Sequence, residues 1–214
     1  MIYRDMREAL TTHTGQPVWV VDTLSHDWLL SINLPGWKRL LDKLDRTVRQ
    51  AVKNSATGKV TLIGHSTGGV LARLYLSPKP FLDHAYHGSE IVDHLITLGS
   101  PHMNLGGVNR GGRMSRWVER ACPGATFMPR VQYTSVAGRF VCGSRGGPIR
   151  ERWLYSTYRD LCGDGDTCGD GLVPVKSALL NGARPVILDG VSHFTVFGEP
   201  WYGSAGVIPY WWPT

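Results

Sequence analysis

Ser66 stands in Gly64-His65-Ser66-Thr67-Gly68, with Gly69 behind it, at the meeting of two unlike stretches. Lys59-Val60-Thr61-Leu62-Ile63 before it is a short apolar run that reads as a buried strand. Val70-Leu71-Ala72-Arg73-Leu74-Tyr75-Leu76 after it reads as a helix. A serine on a sharp strand-to-helix turn is forced outward on a strained backbone, and only small residues two positions to either side leave room for that turn. The start of the helix also presents free N–H groups, which suit developing negative charge. The chemistry this spacing offers is nucleophilic attack by a hydroxyl. The bland alternative is a Gly-rich turn with an incidental serine.

A serine nucleophile needs a base, and the base needs an orienting carboxylate. On a sheet of this type the partners follow in the order Ser, acid, His. Of the eight histidines, His13, His26, His65, His84, His87, His94 and His102 precede any plausible acid loop, which leaves His193. It follows the strand-like Pro185-Val186-Ile187-Leu188 and the turn Asp189-Gly190, at the carboxyl end of a strand where ligands bind in open α/β sheets. The acid is chosen among Asp160, Asp164, Asp166, Asp170 and Asp189. Asp189 is too local to His193, and Asp164 and Asp166 lie in the polar loop between Cys162 and Cys168. Asp170, in Gly169-Asp170-Gly171-Leu172-Val173-Pro174, is pinned between ordered elements and is the preferred candidate.

The elements that must hold these groups alternate between strand and helix. Arg4 to Thr12 reads as a helix with Met6, Ala9 and Leu10 on one face, and Pro17 to Val21 as a strand. Trp37 to Asn54 gathers Trp37, Leu40, Leu41, Leu44, Val48 and Val52 on one face, with Gly58 closing it. Strands are expected at Val60–Ile63, Ile91–Leu98, Val131–Ala137 and Pro185–Leu188, and a short helix over Val175–Leu180. This pattern predicts an α/β domain with a parallel sheet. Two long excursions, about 101–130 and 143–169, are expected to serve as a lid or acyl-binding cap.

Composition is that of an ordinary globular chain: 214 residues, 42% hydrophobic and 19% charged. No apolar run approaches the ~20 residues that span a bilayer, and no secretory signal pattern opens the sequence. Four cysteines (122, 142, 162 and 168) show no metal-ligand spacing. Free thiols are the expectation, with a Cys162–Cys168 loop disulfide as the alternative. The net charge of +6 is uneven: residues 101–153 hold Arg110, Arg113, Arg116, Arg120, Arg130, Arg139, Arg145, Arg150 and Arg152 against Glu119 and Glu151. That surface could attract anionic head groups, or could simply be a solvated, Gly-rich segment. No motif for nucleic acid accompanies the charge.

Taken together, Gly64-His-Ser-Thr-Gly-Gly69, Leu95-Ile-Thr-Leu-Gly-Ser-Pro-His102, Gly169-Asp-Gly-Leu-Val-Pro174 and Gly190-Val-Ser-His193 resemble α/β-hydrolase lipases and esterases. The resemblance is nearest to the lipase-like hydrolases of cyanobacteria and plant plastids, akin to the inositol-deacylase branch, and it runs from about Tyr3 to the end. The tail, Trp201-Tyr-Gly-Ser204 with Val207-Ile208-Pro209 and Trp211, is similar to that subgroup as well. The resemblance implies one α/β-hydrolase domain, mainly a parallel sheet with helices on both faces. It implies hydrolysis of carboxylic, lipid-like esters by a Ser66–His193–Asp170 triad, with no metal or organic cofactor and a cytoplasmic or plastid setting.

In the family pattern one backbone N–H of the oxyanion hole comes from the residue after the nucleophile, here Thr67. The other comes from a Gly-rich loop ahead of the first helix. The sequence opens at Met1, at that helix, so the resemblance implies an N-terminally truncated domain lacking the loop and a central strand, with weak activity and stability expected of it. The alternatives to ester hydrolysis are acyl transfer by the same triad, or a non-catalytic lipid- or protein-binding module. The aromatic tail (Trp201, Tyr202, Tyr210, Trp211, Trp212) could anchor at a membrane interface or dock on the core.

Overall fold

The protein is described by a computed structural model over residues 2–23, 34–106 and 110–213. His26, residues 107–109 and the side chains of Arg110 and Arg113 lie outside the described residues. The helices are α1 (Ile2–Thr14), α2 (Leu34–Lys53), α3 (Thr67–Tyr75), α4 (Arg110–Ala121), α5 (Ile149–Cys162), α6 (Val175–Ala178) and α7 (Ile208–Trp211). The strands are β1 (Val60–His65), β2 (Val92–Leu98), β3 (Gln132–Arg139), β4 (Val141–Cys142), β5 (Cys168–Gly169) and β6 (Arg184–Asp189).

A four-stranded sheet of order β1-β2-β3-β6, parallel throughout, carries the fold. Successive residues of a strand point to opposite faces, and each face has its own core. Leu62 and Leu95 turn to one side, where they meet α2 and α3 through Leu41, Leu44, Val70 and Leu74. Ile96, Leu98 and Val136 turn to the other, where they meet Met6 and Leu10 of α1 together with Trp201, Tyr202 and Trp211 of the tail. The tail therefore docks on the core; only Tyr210 of its aromatic residues is strongly exposed.

Three expectations are corrected. Pro17–Val21 forms no strand: Trp19 and Val20 are exposed at 43% and 46%, while Val18 and Val21 merely lean on the two cores. Its β-branched run supplies propensity but no buried ladder, and among the described residues the outer edge of β1 has no strand partner. Gly58 does not close α2, which ends at Lys53; Gly58 sits with φ +66° in the turn leading to β1. The cysteines pair as Cys142–Cys168, and Cys122 and Cys162 are buried free thiols. The bond follows the small antiparallel ladder of β4 and β5, which sets Cys142 opposite Cys168. Their separation of 26 residues gives no local signal of this in the sequence. Each of the two excursions carries a helix, α4 in the first and α5 in the second.

Candidate active site

Three elements bring the predicted residues to one end of the sheet. Ser66 is the residue between β1 and α3, with φ 54° and ψ −133°. Its N–H donates to the carbonyl of Leu98 at 2.9 Å, extending the β1–β2 ladder to the turn itself. A non-glycine residue in that region costs on the order of 1–3 kcal/mol and persists only where its surroundings enforce it. The enforcement is visible in the glycines: a Cβ on Gly64 would lie 2.5 Å from the Cα of Gly69. The backbone crosses itself too closely there for any side chain. Thr67 opens α3, so its N–H has no acceptor within the helix and faces outward with the helix dipole behind it.

Asp170 and His193 meet directly. The Nδ1–H of His193 donates to Oδ2 of Asp170 at 2.7 Å, and both side chains are fully buried. The backbone N–H of His193 donates to the carbonyl of Asp170 at 2.8 Å, so the two loops are joined twice. The other carboxylate oxygen, Oδ1, accepts the N–H groups of Leu172 and Val173 at 3.0 and 2.7 Å. These bonds fix the imidazole with its proton on Nδ1 and leave Nε2 as the lone-pair nitrogen. Nε2 is buried and without a hydrogen-bond partner. Ser66 and His193 are therefore not hydrogen-bonded to one another, although His65, the residue before Ser66, packs its ring 4.7 Å from that of His193.

The rival acids are engaged elsewhere. Asp189 is salt-bridged to Arg139 at the surface, and Asp164 accepts the N–H of Asp166 within its own loop. Asp160 instead lines a cavity of about 270 Å³ together with Ser66, Thr67, Pro101, Thr157, Leu161, Leu172 and Val173. The Ser66 turn, α5 and the loop bearing Asp170 thus share one hollow. A larger groove of about 600 Å³ along α2, lined by Lys38, Arg39 and Asp42 among others, shares no residue with it.

Two features of the surroundings were not read from the sequence. His65 is clamped between Tyr3 of α1, whose hydroxyl lies 2.9 Å from Nδ1, and the carbonyl of His193, 3.1 Å from Nε2. The carbonyl can only accept, so Nε2 carries the proton and Nδ1 accepts from Tyr3. Burial, reinforced by His193, holds the His65 imidazole well below its ordinary value. Burial likewise pushes the Tyr3 phenol up to about 12. On the far side of α3, the fully buried Arg73 donates to Glu119 at 2.5 Å, to the carbonyl of Cys122 at 2.6 Å and to His102 Nδ1 at 3.3 Å. That pins α3 to α4 and to the Ser100-Pro101-His102 turn. Neither feature announces itself in sequence, because His65 and Arg73 also fit a variable motif position and an ordinary helix cation.

Known proteins are similar to this chain in part of its sequence and in fold. A family model described as "PGAP1-like alpha/beta domain" matches residues 38–106, which include Ser66 and Thr67 but not Asp170 or His193. The chain is similar to the crystal structure of Bacillus licheniformis lipase BlEst2 in its mature form. There the identity is 20% and the TM-score 0.50, over 72% of this chain and 66% of that one. The propeptide form of the same lipase matches at 21% identity and TM-score 0.45, over 73% of this chain and 36% of that one. The chain thus spans just under two thirds of the mature lipase and about a third of the propeptide form. No curated protein matches. The fold is α/β-hydrolase-like, with a four-stranded parallel sheet and helices on both faces.

Proposed function

We propose that the chain is a serine hydrolase of carboxylic, lipid-like esters. The observation that carries this reading is the buried Asp170–His193 pair, which leaves one unpaired imidazole nitrogen beside a strained serine turn. Ser66 Oγ attacks the ester carbonyl while Nε2 of His193 takes its proton. The resulting imidazolium is stabilised by Asp170 and returns the proton to the departing alcohol, leaving an acyl group on Ser66. Water enters by the same steps in reverse and releases the acid. The Thr67 N–H faces the oxyanion; a second donor would add about 10²–10³ in rate. The similarity to a lipase supports an ester substrate by analogy of fold. Acyl transfer to another alcohol would use the same residues.

A second reading, a non-catalytic binding module, draws on one observation: Ser66 and His193 share no hydrogen bond. Apo sites often lack such a bond until substrate closes them, so its absence does not count against the enzyme. Arg150 and Arg152 are exposed on the first turn of α5, the helix whose later residues Thr157, Asp160 and Leu161 line the cavity, with Ile149 and Trp153 exposed among them. This combination suits an anionic lipid surface. No described helix is long and apolar enough to cross a membrane, so contact through α5 would be peripheral. The test is fatty-acid release from ester lipids in neutral and in phosphatidylglycerol vesicles. Release is expected from both, faster on the anionic vesicles and slowed by salt. Equal rates at low salt would remove the charge argument, and no release from either would remove the hydrolase.

A further inference from the structure

The carboxylate of Asp170 is shared with a residue outside the triad pattern. Besides the proton from His193, Oδ2 accepts the hydroxyl of Tyr202 at 2.8 Å. The phenolic oxygen is itself held by the N–H of Gly138 at 2.7 Å. Because Gly138 donates to that oxygen, the Tyr202 proton is directed at Oδ2. Tyr202, Asp170 and His193 are all fully buried. Room for the arrangement is made by two glycines. A Cβ on Gly99 would lie 2.5 Å from Oδ2, and one on Gly138 would lie 2.9 Å from the Asp170 Cβ and 3.1 Å from the Tyr202 hydroxyl.

We propose that Tyr202 is a positioning residue that sets how strongly Asp170 accepts from His193, so that the C-terminal aromatic segment completes the acid site. The inference rests on the reading of Asp170 and His193 as acid and base given above. Two donors on one oxygen divide its charge between them, and in a buried site that competition is felt fully. Removing the Tyr202 hydroxyl hands the whole of Oδ2 to His193. The imidazolium is then better stabilised, and the acid limb of the activity profile moves to higher pH. The segment is fastened on both sides of Tyr202. Trp211 Nε1–H donates to the carbonyl of Tyr202 at 3.0 Å, and the N–H of Ser192, next to His193, donates to the carbonyl of Pro200 at 2.9 Å.

The other titratable groups facing the pair are His65 from β1 and Tyr158 from α5, with exposed Arg150 acting on Tyr158 from outside. Tyr158 provides the control. It is equally buried and its hydroxyl accepts the N–H of Gly171, next to Asp170, yet it makes no bond to the carboxylate.

Y202F and Y158F would be compared by kcat/KM against pH and by the NMR resonance of the His193 Nδ1 proton. In Y202F the acid limb is expected to rise by roughly half to one pH unit, the Nδ1 proton to move downfield, and KM to stay within about twofold. Neither should move in Y158F. Should Y202F fold poorly, a fluorinated tyrosine incorporated at Tyr202 keeps the hydroxyl and makes it a stronger donor, so both readouts should move the opposite way. An unmoved limb and proton in these variants, or equal shifts in Y158F, would overturn the proposal. The NMR readout needs no turnover, so an inactive wild type would count against the hydrolase while leaving Tyr202 open to this test.

Discussion

Asp170 differs from its rivals in the number of donors that converge on it. Two backbone N–H groups, an imidazole and a phenol meet its carboxylate, whereas Asp164 and Asp189 hold surface contacts only. Replacing it by Asn would present an amide to some of those donors and lose the preferred imidazole tautomer. Asp170→Asn is expected to lower kcat by about 10³–10⁴, while Asp164→Asn should leave it within about twofold, both read from steady-state ester hydrolysis. Equal losses would relocate the acid. At this scale the sequence was most legible where chemistry demands a fixed type at a fixed place. Ser66, His193 and Asp170 could be put forward as candidates because strand ends, chain order and flanking glycines restrict the possibilities, and Asp170 and His193 do meet in the structure. Tyr202 could not, since one aromatic among five in a tail carries no mark of the carboxylate it will meet.

Among the elements, the long amphipathic helix α2 and the four sheet strands were readable from period alone. Their apolar positions repeat at 3.6 or at 2 over enough residues to outweigh local noise. Pro17–Val21 misled because propensity was present without a second buried face. The ladder of β4 and β5 escaped because two-residue strands have no period at all. That ladder matters, since its disulfide fastens the segment two residues before Asp170. Closing a loop of this length contributes about 2–4 kcal/mol through the unfolded state. Cys142→Ser should therefore lower unfolding stability by about that amount in a denaturant titration. It should also reduce kcat more than it changes KM, as the loop bearing Asp170 loosens. Stability unchanged within about 0.5 kcal/mol would mean that the packing of Tyr158 and Leu154 holds the loop unaided.

For the molecule as a whole, histidines shielded from water make stability depend on pH: the fully buried His102, the partly buried His65 and, to a lesser degree, the partly buried His94. His65 and His102 are both held well below the ordinary value of 6.5, chiefly by burial, with His193 and Arg73 respectively adding to it. His102 accepts from Arg73 at Nδ1 and donates from Nε2 to Thr97, so the neutral form is built into the core. Below about pH 6.5 the unfolded chain binds protons that the native state refuses, so stability falls as pH falls through that value and is fully present above it. The melting temperature should drop from pH 7.5 to about 5, and the slope should be shallower in His102→Gln even where its stability is lower throughout. A slope identical to wild type would show that other groups govern the acid limb. This coupling could not be read from the sequence, because nothing local separates these histidines from the exposed His84 and His87.

The proposed hydrolysis requires Ser66 to act as a nucleophile backed by His193. A fluorophosphonate probe followed by peptide mass mapping asks that directly. The expected result is one adduct per chain on Ser66, lost in Ser66→Ala and strongly slowed in His193→Ala while both variants remain folded by circular dichroism. An unlabelled wild-type chain, or an adduct that persists in Ser66→Ala, would contradict it.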